Sequence, residues 1–266
     1  MKVYLEIAIE AALAAGREIM NIYVKEDFQV EIKSDASPLT IADKKANDII
    51  NEFLRPTGIP IISEENIELP FEERKNWQQC WIVDPLDGTK EFIKRNGEFT
   101  VNIALVSEGR PEIGVIYAPA LNLLYFSLVS EKRTFKNHVT AETIDINEII
   151  RSAKEIQPET NSDCIKVVGS RSHMNEETLN FIKELKSTER EVQVVSKGSS
   201  LKFCLLAEGE AHYYPRFGPT MEWDTAAGQA LCEAVGYSCK FSDSGKSITY
   251  NRENLRNDNF IVSYER

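Results

Sequence analysis

Two aspartates stand three residues apart where an apolar run ends, in the stretch W-I-V-D-P-L-D-G-T. Taken alone, Asp84 and Asp87 fit an ordinary turn, because Asp bonds to nearby backbone and Gly88 accepts a positive φ. Further acids, Glu64 and Asp224, stand where a predicted strand or loop meets the next element. Such junctions are where α/β proteins gather their ligand-binding residues.

Four carboxylates that converge would repel one another and raise each other's pKa. A hard divalent cation relieves that repulsion, and Mg²⁺ suits a few carboxylates together with a substrate phosphate. Two such ions can hold both the attacking and the leaving oxygen of a phosphoryl transfer. In the turn, Pro85 stiffens the loop, Gly88 lets the backbone approach a phosphate, and Thr89 supplies a hydroxyl. The pattern predicts metal-assisted phosphate chemistry.

Composition narrows the class of protein. The net charge of -11 argues against a nucleic-acid-binding surface, which needs a basic patch. No apolar run approaches the roughly 20 residues that span a bilayer, and the first residues lack a secretory signal pattern. Five scattered cysteines without a C-x-x-C pair predict reduced, mostly buried thiols. We therefore expect a cytoplasmic protein that acts on a small molecule.

Other phosphate and nucleophile signatures are missing from the chain, which has no G-x-x-x-x-G-K-[ST], G-x-G-x-x-G or G-x-S-x-G motif. The nearest rival is the haloacid dehalogenase type, whose D-x-D-G-T uses an aspartate as a covalent nucleophile. Here the spacing is D-x-x-D-G-T, and the extra residue would rotate the two carboxylates relative to each other. A silent nucleotide-binding protein that keeps the same fold is a further alternative.

Hydrophobic periodicity predicts a mixed α/β chain. Helices are predicted over 2–24 and 40–54, strands over 59–63 and 77–83, and an antiparallel meander over 99–107, 111–117 and 123–129. Beyond about residue 130, strands alternate with helices, over 165–169, 175–186, 191–195, 199–208, 210–214 and 225–235. Alternation of this kind is typical of an α/β second part.

Four motifs together resemble the inositol monophosphatase superfamily of Mg²⁺-dependent, lithium-sensitive phosphomonoesterases. They are S-P-L-T-I-A-D from Ser37, Glu64-Glu65, D-P-L-D-G-T from Asp84 and W-D-T-A-A-G from Trp223. The resemblance implies a layered α/β/α/β/α sandwich of α+β type in two subdomains. Residues 1–135 would carry most metal ligands, and residues 136–266 would carry Asp224 and the nucleotide contacts.

Within that superfamily, three segments are most similar to the bacterial 3'(2'),5'-bisphosphate nucleotidases: G-S-R-S-H from Gly169, G-S-S-L-K-F-C from Gly198 and Y-P-R-F-G-P-T from Tyr214. The resemblance implies hydrolysis of adenosine 3',5'-bisphosphate, a compound supplied by sulfate assimilation, to AMP and phosphate. Branches acting on inositol monophosphate or fructose 1,6-bisphosphate would keep the same scaffold and metals. A homodimer and a location at the inner face of the cell membrane both stay open.

The resemblance also implies a role for each residue that matches a motif. Two or three Mg²⁺ ions would be held by Glu64, Asp84, the carbonyl of Leu86, Asp87 and Asp224. The attacking water would be activated by Asp43 with Thr89, and Glu64 would share that work. The substrate would be contacted by Gly88, Thr89, His173, Ser199, Lys202 and Arg216.

Several of these residues also have a plainer, structural interpretation. Asp43 and Asp224 would also suit the start of a helix, where an acid is favoured by capping and by the dipole. Choosing Glu64 over Glu65 rests on the resemblance alone. His173 would serve as a structural residue, and Lys202 would lie on a solvated helix face. In addition, residues 131–137 lack the glycine-rich hairpin that often follows the meander in this superfamily.

Overall fold

The computed structural model describes residues 1–25, 30–32, 38–139, 145–158, 164–169, 175–187 and 191–264. For residues 30–32 and 38–39 it describes the backbone alone. The described residues form eight α-helices: α1 Lys2–Tyr23, α2 Ile41–Leu54, α3 Phe71–Arg74, α4 Thr89–Ile93, α5 Ile146–Ser152, α6 Glu176–Lys186, α7 Leu201–Ala207 and α8 Glu222–Ala234. They also form sixteen strands: β1 Val30–Ile32, β2 Pro38–Thr40, β3 Ile61–Ser63, β4 Gln79–Asp87, β5 Thr100–Ser107, β6 Arg110–Ala118, β7 Leu123–Leu128, β8 Arg133–His138, β9 Lys154–Ile156, β10 Cys164–Gly169, β11 Glu191–Ser196, β12 Tyr213–Arg216, β13 Thr220–Met221, β14 Tyr237–Phe241, β15 Arg256–Asn257 and β16 Phe260–Tyr264.

A seven-stranded sheet forms the larger core, with its strands in sequence order from β3 to β9. β3 and β4 are parallel, and every later neighbouring pair is antiparallel. Along β4, Trp81 and Val83 pack into the core under α1 and α2, while Cys80 and Ile82 pack into the core on the opposite face. Because both faces are buried, β4 reads as a continuous apolar run rather than an alternating one.

The predicted meander is confirmed as β5, β6 and β7, and the sheet continues through β8 and β9, which the sequence pattern did not predict. A short 3-10 turn leads into β8, where Lys132 takes a left-handed conformation with φ 55. A lysine therefore occupies the turn position that a glycine more often fills. The boundary proposed between residues 135 and 136 stays a prediction, and β8 pairs with β7 on both sides of it.

The layers follow in the order helices, sheet, helices, sheet, helix. α1 and α2 cover one face of the large sheet, and α8 covers the other. α7 and α8 then pack against a five-stranded sheet of order β11-β10-β12-β16-β14, and α6 lies against β11 and β12. The mixed α/β layered fold is confirmed.

α8 lies directly on β6 at Gly114, where an added Cβ would be 2.5 Å from the carbonyl oxygen of Ala227. α8 also contacts the neighbouring strands β5 and β4. All five cysteines are free, and four of them are buried. Among the described helices, none combines the length and the apolar character needed to cross a membrane.

Candidate active site

A bulge in β4 places two carboxylates together. Asp84 is opposite Asn102 on β5 and Asp87 is opposite Thr100, so β4 has two residues between these pairs where β5 has one. In a regular strand, residues three apart point to opposite faces. The extra residue of the bulge removes that alternation, as bulges do when they re-aim a side chain. Asp84 and Asp87 therefore face the same region.

The third carboxylate comes from α8. This helix begins at Glu222, three residues before the predicted start at residue 225, and Asp224 is its third residue rather than its N-cap. Oδ2 of Asp224 accepts a hydrogen bond of 2.7 Å from the backbone N–H of Met221. That bond leaves the other carboxylate oxygen for a different partner, so helix capping and ligand binding are compatible in one side chain.

Asp84, Asp87 and Asp224 form one cluster, in which each offers an oxygen within 4.8 Å of the other two. Burial first, and then the charges of Glu64, Asp87 and Asp224, hold the pKa of Asp84 well above its usual range. Burial and the charge of Asp87 raise the pKa of Asp224 to about 7. Three hard oxygen donors with this unrelieved charge are suited to binding a divalent cation.

Glu64 follows β3 and lies outside the group of three mutually close carboxylates. Its backbone N–H donates to the carbonyl of Val83, at 3.2 Å, which ties it to the neighbouring strand. Its charge acts on Asp84 and Asp224, whereas the charge of Glu65 acts on Asp43. This difference distinguishes the two adjacent glutamates and favours Glu64 as the one that faces the cluster.

Asp43 and Thr89 are paired. The Thr89 hydroxyl lies 3.1 Å from Oδ1 of Asp43 and 3.4 Å from the carbonyl oxygen of Leu86. Oδ2 of Asp43 accepts two bonds from Thr40, 2.7 Å from its N–H and 2.5 Å from its hydroxyl, in a capping box at the start of α2. Burial raises the pKa of Asp43 despite these donors. The predicted pair is therefore in contact, and Asp43 also caps its helix.

A cavity of about 340 Å³ is lined by two members of this cluster, Asp87 and Asp224. Lys202 and Arg216 line it as well, as do Gly88 and Ser199. Nζ of Lys202 donates to the carbonyl of Ser199 at 2.8 Å, and Lys202 is only 8% exposed. Nη2 of Arg216 donates to the carbonyl of Pro219 at 3.0 Å, while its Nε is buried without a hydrogen-bond partner among the described residues.

Sequence reasoning missed several residues of this cavity. Its rim includes Lys90, Lys94 and Lys197. Asn102 and Ser200 contact Asp87, although neither carries a charge that would mark it in the sequence. His173 lies outside the described residues, and its predicted role stays a prediction.

Comparisons with known proteins agree with this geometry. Residues 1–263 match the inositol monophosphatase family. The 3'(2'),5'-bisphosphate nucleotidase CysQ of Escherichia coli strain K12 is 43% identical over 263 residues, covering 97% of this chain and 99% of the relative. The relative of the same name from Haemophilus influenzae is 35% identical, over 94% of this chain and 89% of its own length.

A solved structure, that of CysQ from Bacteroides thetaiotaomicron, superposes with a TM-score of 0.91 at 44% identity, covering 100% of this chain and 98% of that one. That protein is a bacterial member of the inositol monophosphatase family. The family match over almost the whole chain and the identity to these relatives give one conclusion: the chain belongs to the inositol monophosphatase family.

Proposed function

We propose that this chain is a Mg²⁺-dependent 3'(2'),5'-bisphosphate nucleotidase that hydrolyses adenosine 3',5'-bisphosphate to AMP and phosphate. One observation carries the proposal: a single cavity is lined by Asp87 and Asp224, two members of the three-carboxylate cluster, and by two cationic side chains, Lys202 and Arg216. Lys202 Nζ and Arg216 Nη2 each donate to a backbone carbonyl, of Ser199 and of Pro219. The relatives that carry this enzyme name support the same activity.

Asp84, Asp87 and Asp224 would hold the cation, together with Glu64 and the carbonyl oxygen of Leu86. When bound, Mg²⁺ supplies positive charge that stabilises the phosphate oxygens as charge builds on them. The chain's contribution is to keep the carboxylates together before the ion arrives. Asp84 is 1% exposed, and its Oδ1 accepts the N–H of Leu86 at 3.1 Å, so its position is set by the bulge itself.

Thr89 and Asp43 would take the proton of the attacking water. The Thr89 hydroxyl donates to Oδ1 of Asp43, so its oxygen lone pairs remain available to a water molecule. As water attacks phosphorus and the bond from phosphorus to the ribose 3'-oxygen breaks, the water proton passes to Oγ1 of Thr89 and the hydroxyl proton of Thr89 passes to Oδ1 of Asp43. The departing 3'-oxygen takes a proton from solvent. A raised pKa makes Asp43 a better proton acceptor for this task.

Lys202 and Arg216 would bind the non-scissile phosphate. Lys202 is held against the Tyr214 ring, with Nζ 5.7 Å from its centroid, and among the described residues its hydrogen-bond acceptor is the neutral carbonyl of Ser199. Within the described part of the chain, the Nε–H of Arg216 has no hydrogen-bond partner, and arginine can form two parallel bonds with a phosphate. A substrate with a single phosphate has no group for these donors, whereas a nucleoside bisphosphate has one.

The direct test is phosphate release from adenosine 3',5'-bisphosphate, inositol 1-phosphate and fructose 1,6-bisphosphate, each with Mg²⁺ and again with excess chelator. We expect release that the chelator abolishes and that strongly favours the nucleotide. If the protein prefers inositol 1-phosphate or fructose 1,6-bisphosphate, the proposed substrate is wrong although the metal site is not. A cytoplasmic location, a homodimer and a third Mg²⁺ stay predictions.

A further inference from the structure

Asp87 accepts hydrogen bonds from side chains, whereas Asp84 and Asp224 accept them from the backbone N–H groups of Leu86 and Met221. Oδ2 of Asp87 accepts hydrogen bonds from the Ser200 hydroxyl at 2.8 Å and the Asn102 side-chain amide at 3.3 Å. It also lies 2.9 Å from the Ser199 hydroxyl, which contacts the Thr100 hydroxyl at 2.6 Å as well. All three contacts are made to the same oxygen. The described hydrogen bonds therefore leave Oδ1 as the oxygen that a cation would use.

The hydroxyl of Ser200 contacts Asp87 and does not cap the helix that Ser200 precedes. Ser200 is the N-cap residue of α7, a position where a serine side chain normally caps the helix. Here its side chain makes no capping bond, and its hydroxyl lies 2.8 Å from Asp87 and 3.1 Å from the carbonyl oxygen of Asp224. A hydroxyl has one hydrogen, and the shorter contact to the charged acceptor is the stronger bond. Ser200 thus serves Asp87 instead of its own helix.

Asn102 on β5 orients that hydroxyl. Its Nδ2 donates to Oγ of Ser200 at 2.9 Å, so the Ser200 hydrogen must point elsewhere, toward Asp87. Oδ1 of Asn102 accepts from the Thr100 hydroxyl at 2.9 Å, which fixes the orientation of the amide. Asn102 and Ser200 are 1% and 2% exposed, so water does not replace these bonds.

We propose that Ser200 and Asn102 are positioning residues that fix the Asp87 carboxylate for a divalent cation. The proposal rests on the metal site of the proposed function. Removing a hydrogen-bond partner behind a metal ligand typically weakens metal affinity about 10- to 100-fold. Because each variant removes only one of the donors to Asp87, we expect the low end of that range.

The test measures Mn²⁺ binding to the substrate-free full chain, by the electron paramagnetic resonance signal of free Mn²⁺ during titration. The variants are Ser200→Ala and Asn102→Leu. The matched control is Ser127→Ala, because Ser127 is fully buried and its hydroxyl has no hydrogen-bond partner among the described residues. We expect about tenfold weaker Mn²⁺ binding in both site variants, and wild-type binding in the control. Thermal unfolding checks that each variant is folded.

A second readout separates positioning from a structural role. With saturating Mg²⁺, Ser200→Ala should approach the wild-type kcat with an unchanged KM for the nucleotide, whereas a merely structural defect would lower kcat at every metal concentration. Mn²⁺ affinity in Ser200→Ala and Asn102→Leu equal to that of Ser127→Ala would overturn the proposal. If Asp84→Asn binds Mn²⁺ as tightly as the wild type does, the metal site itself is overturned, and the proposed function with it.

Discussion

Replacing Asp224 with asparagine should make the cation-free protein more stable. Burial and the charge of Asp87 raise the pKa of Asp224 from 3.8 to about 7, which means that the folded chain disfavours the ionised carboxylate. Asparagine keeps an oxygen that can accept the N–H of Met221, so the capping bond at the start of α8 is preserved. The substitution therefore removes mainly a repelling charge.

The magnitude follows from the pKa difference of about 3. Each pKa unit corresponds to about 1.36 kcal/mol, giving an upper limit on the order of 4 kcal/mol. Asp224 is partly open to the cavity, and the neighbouring carboxylates share the repulsion, so we expect about 2 to 4 kcal/mol at pH 8. For a chain of this size, that raises the unfolding temperature by roughly 5 to 10 °C.

The sign of the pH dependence is fixed by the raised pKa. Below pH 3.8 the carboxyl is protonated in both the folded and the unfolded chain and costs no stability. The destabilisation grows as pH rises from 3.8 and is complete above about 7. The advantage of Asp224→Asn should accordingly be smaller at pH 5.5 than at pH 8.

Thermal unfolding in excess chelator at both pH values measures this effect. Asp145→Asn is the control, because Asp145 is an exposed N-cap residue of α5 at which asparagine caps equally well. Added Mg²⁺ should stabilise the wild type at pH 8 and stabilise Asp224→Asn much less. An Asp224→Asn protein that is no more stable than wild type in chelator at pH 8 would refute charge repulsion at the cluster.

Three further predictions concern activity and packing. Asp84→Asn should abolish phosphate release at any Mg²⁺ concentration, because it removes the most buried charge of the cluster, and wild-type turnover would exclude the metal assignment. Lys202→Ala should raise KM for adenosine 3',5'-bisphosphate but not for a simple phosphomonoester, and equal losses on both would reject its role in binding the second phosphate. Gly114→Ala should destabilise the fold by about 1 to 3 kcal/mol in urea unfolding, because its Cβ would lie 2.5 Å from the Ala227 carbonyl; an unchanged midpoint would show that α8 can shift.

Charged residues near element ends were the part of the site that the sequence revealed. Glu64, Asp84, Asp87 and Asp224 were expected to converge, and the structure brings together oxygens of the three aspartates, with Glu64 outside that group. Ser200 and Asn102 were missed because they are neutral and because their contact joins residues 98 positions apart in the chain. Nothing in a local pattern indicates that the serine at an N-cap will turn away from its helix.

Element boundaries failed where tertiary contacts decided them. β8 and β9 lie in a polar part of the chain, and pairing with β7 rather than alternation makes β8 a strand. The start of α8 was placed too late because Met221 is a poor N-cap by type, and the carboxylate of Asp224 satisfies its N–H instead. Both errors come from bonds that a neighbouring element or a functional side chain supplies.

Two residues, rather than one, separate the two aspartates of β4, and this spacing affects the site. With one residue between them, a regular strand would place both on one face and would send the single spacer into the opposite core. With two residues between them, the strand must bulge to bring the carboxylates together again. Asp84 and Asp87 do lie on either side of such a bulge, opposite Asn102 and Thr100 of β5. Pro85 has no N–H to lose from the ladder at that point. Leu86, 1% exposed, is buried in the core, while its carbonyl lies 3.4 Å from the Thr89 hydroxyl. The extra residue thus gives the site a backbone oxygen that a D-x-D spacing would not provide.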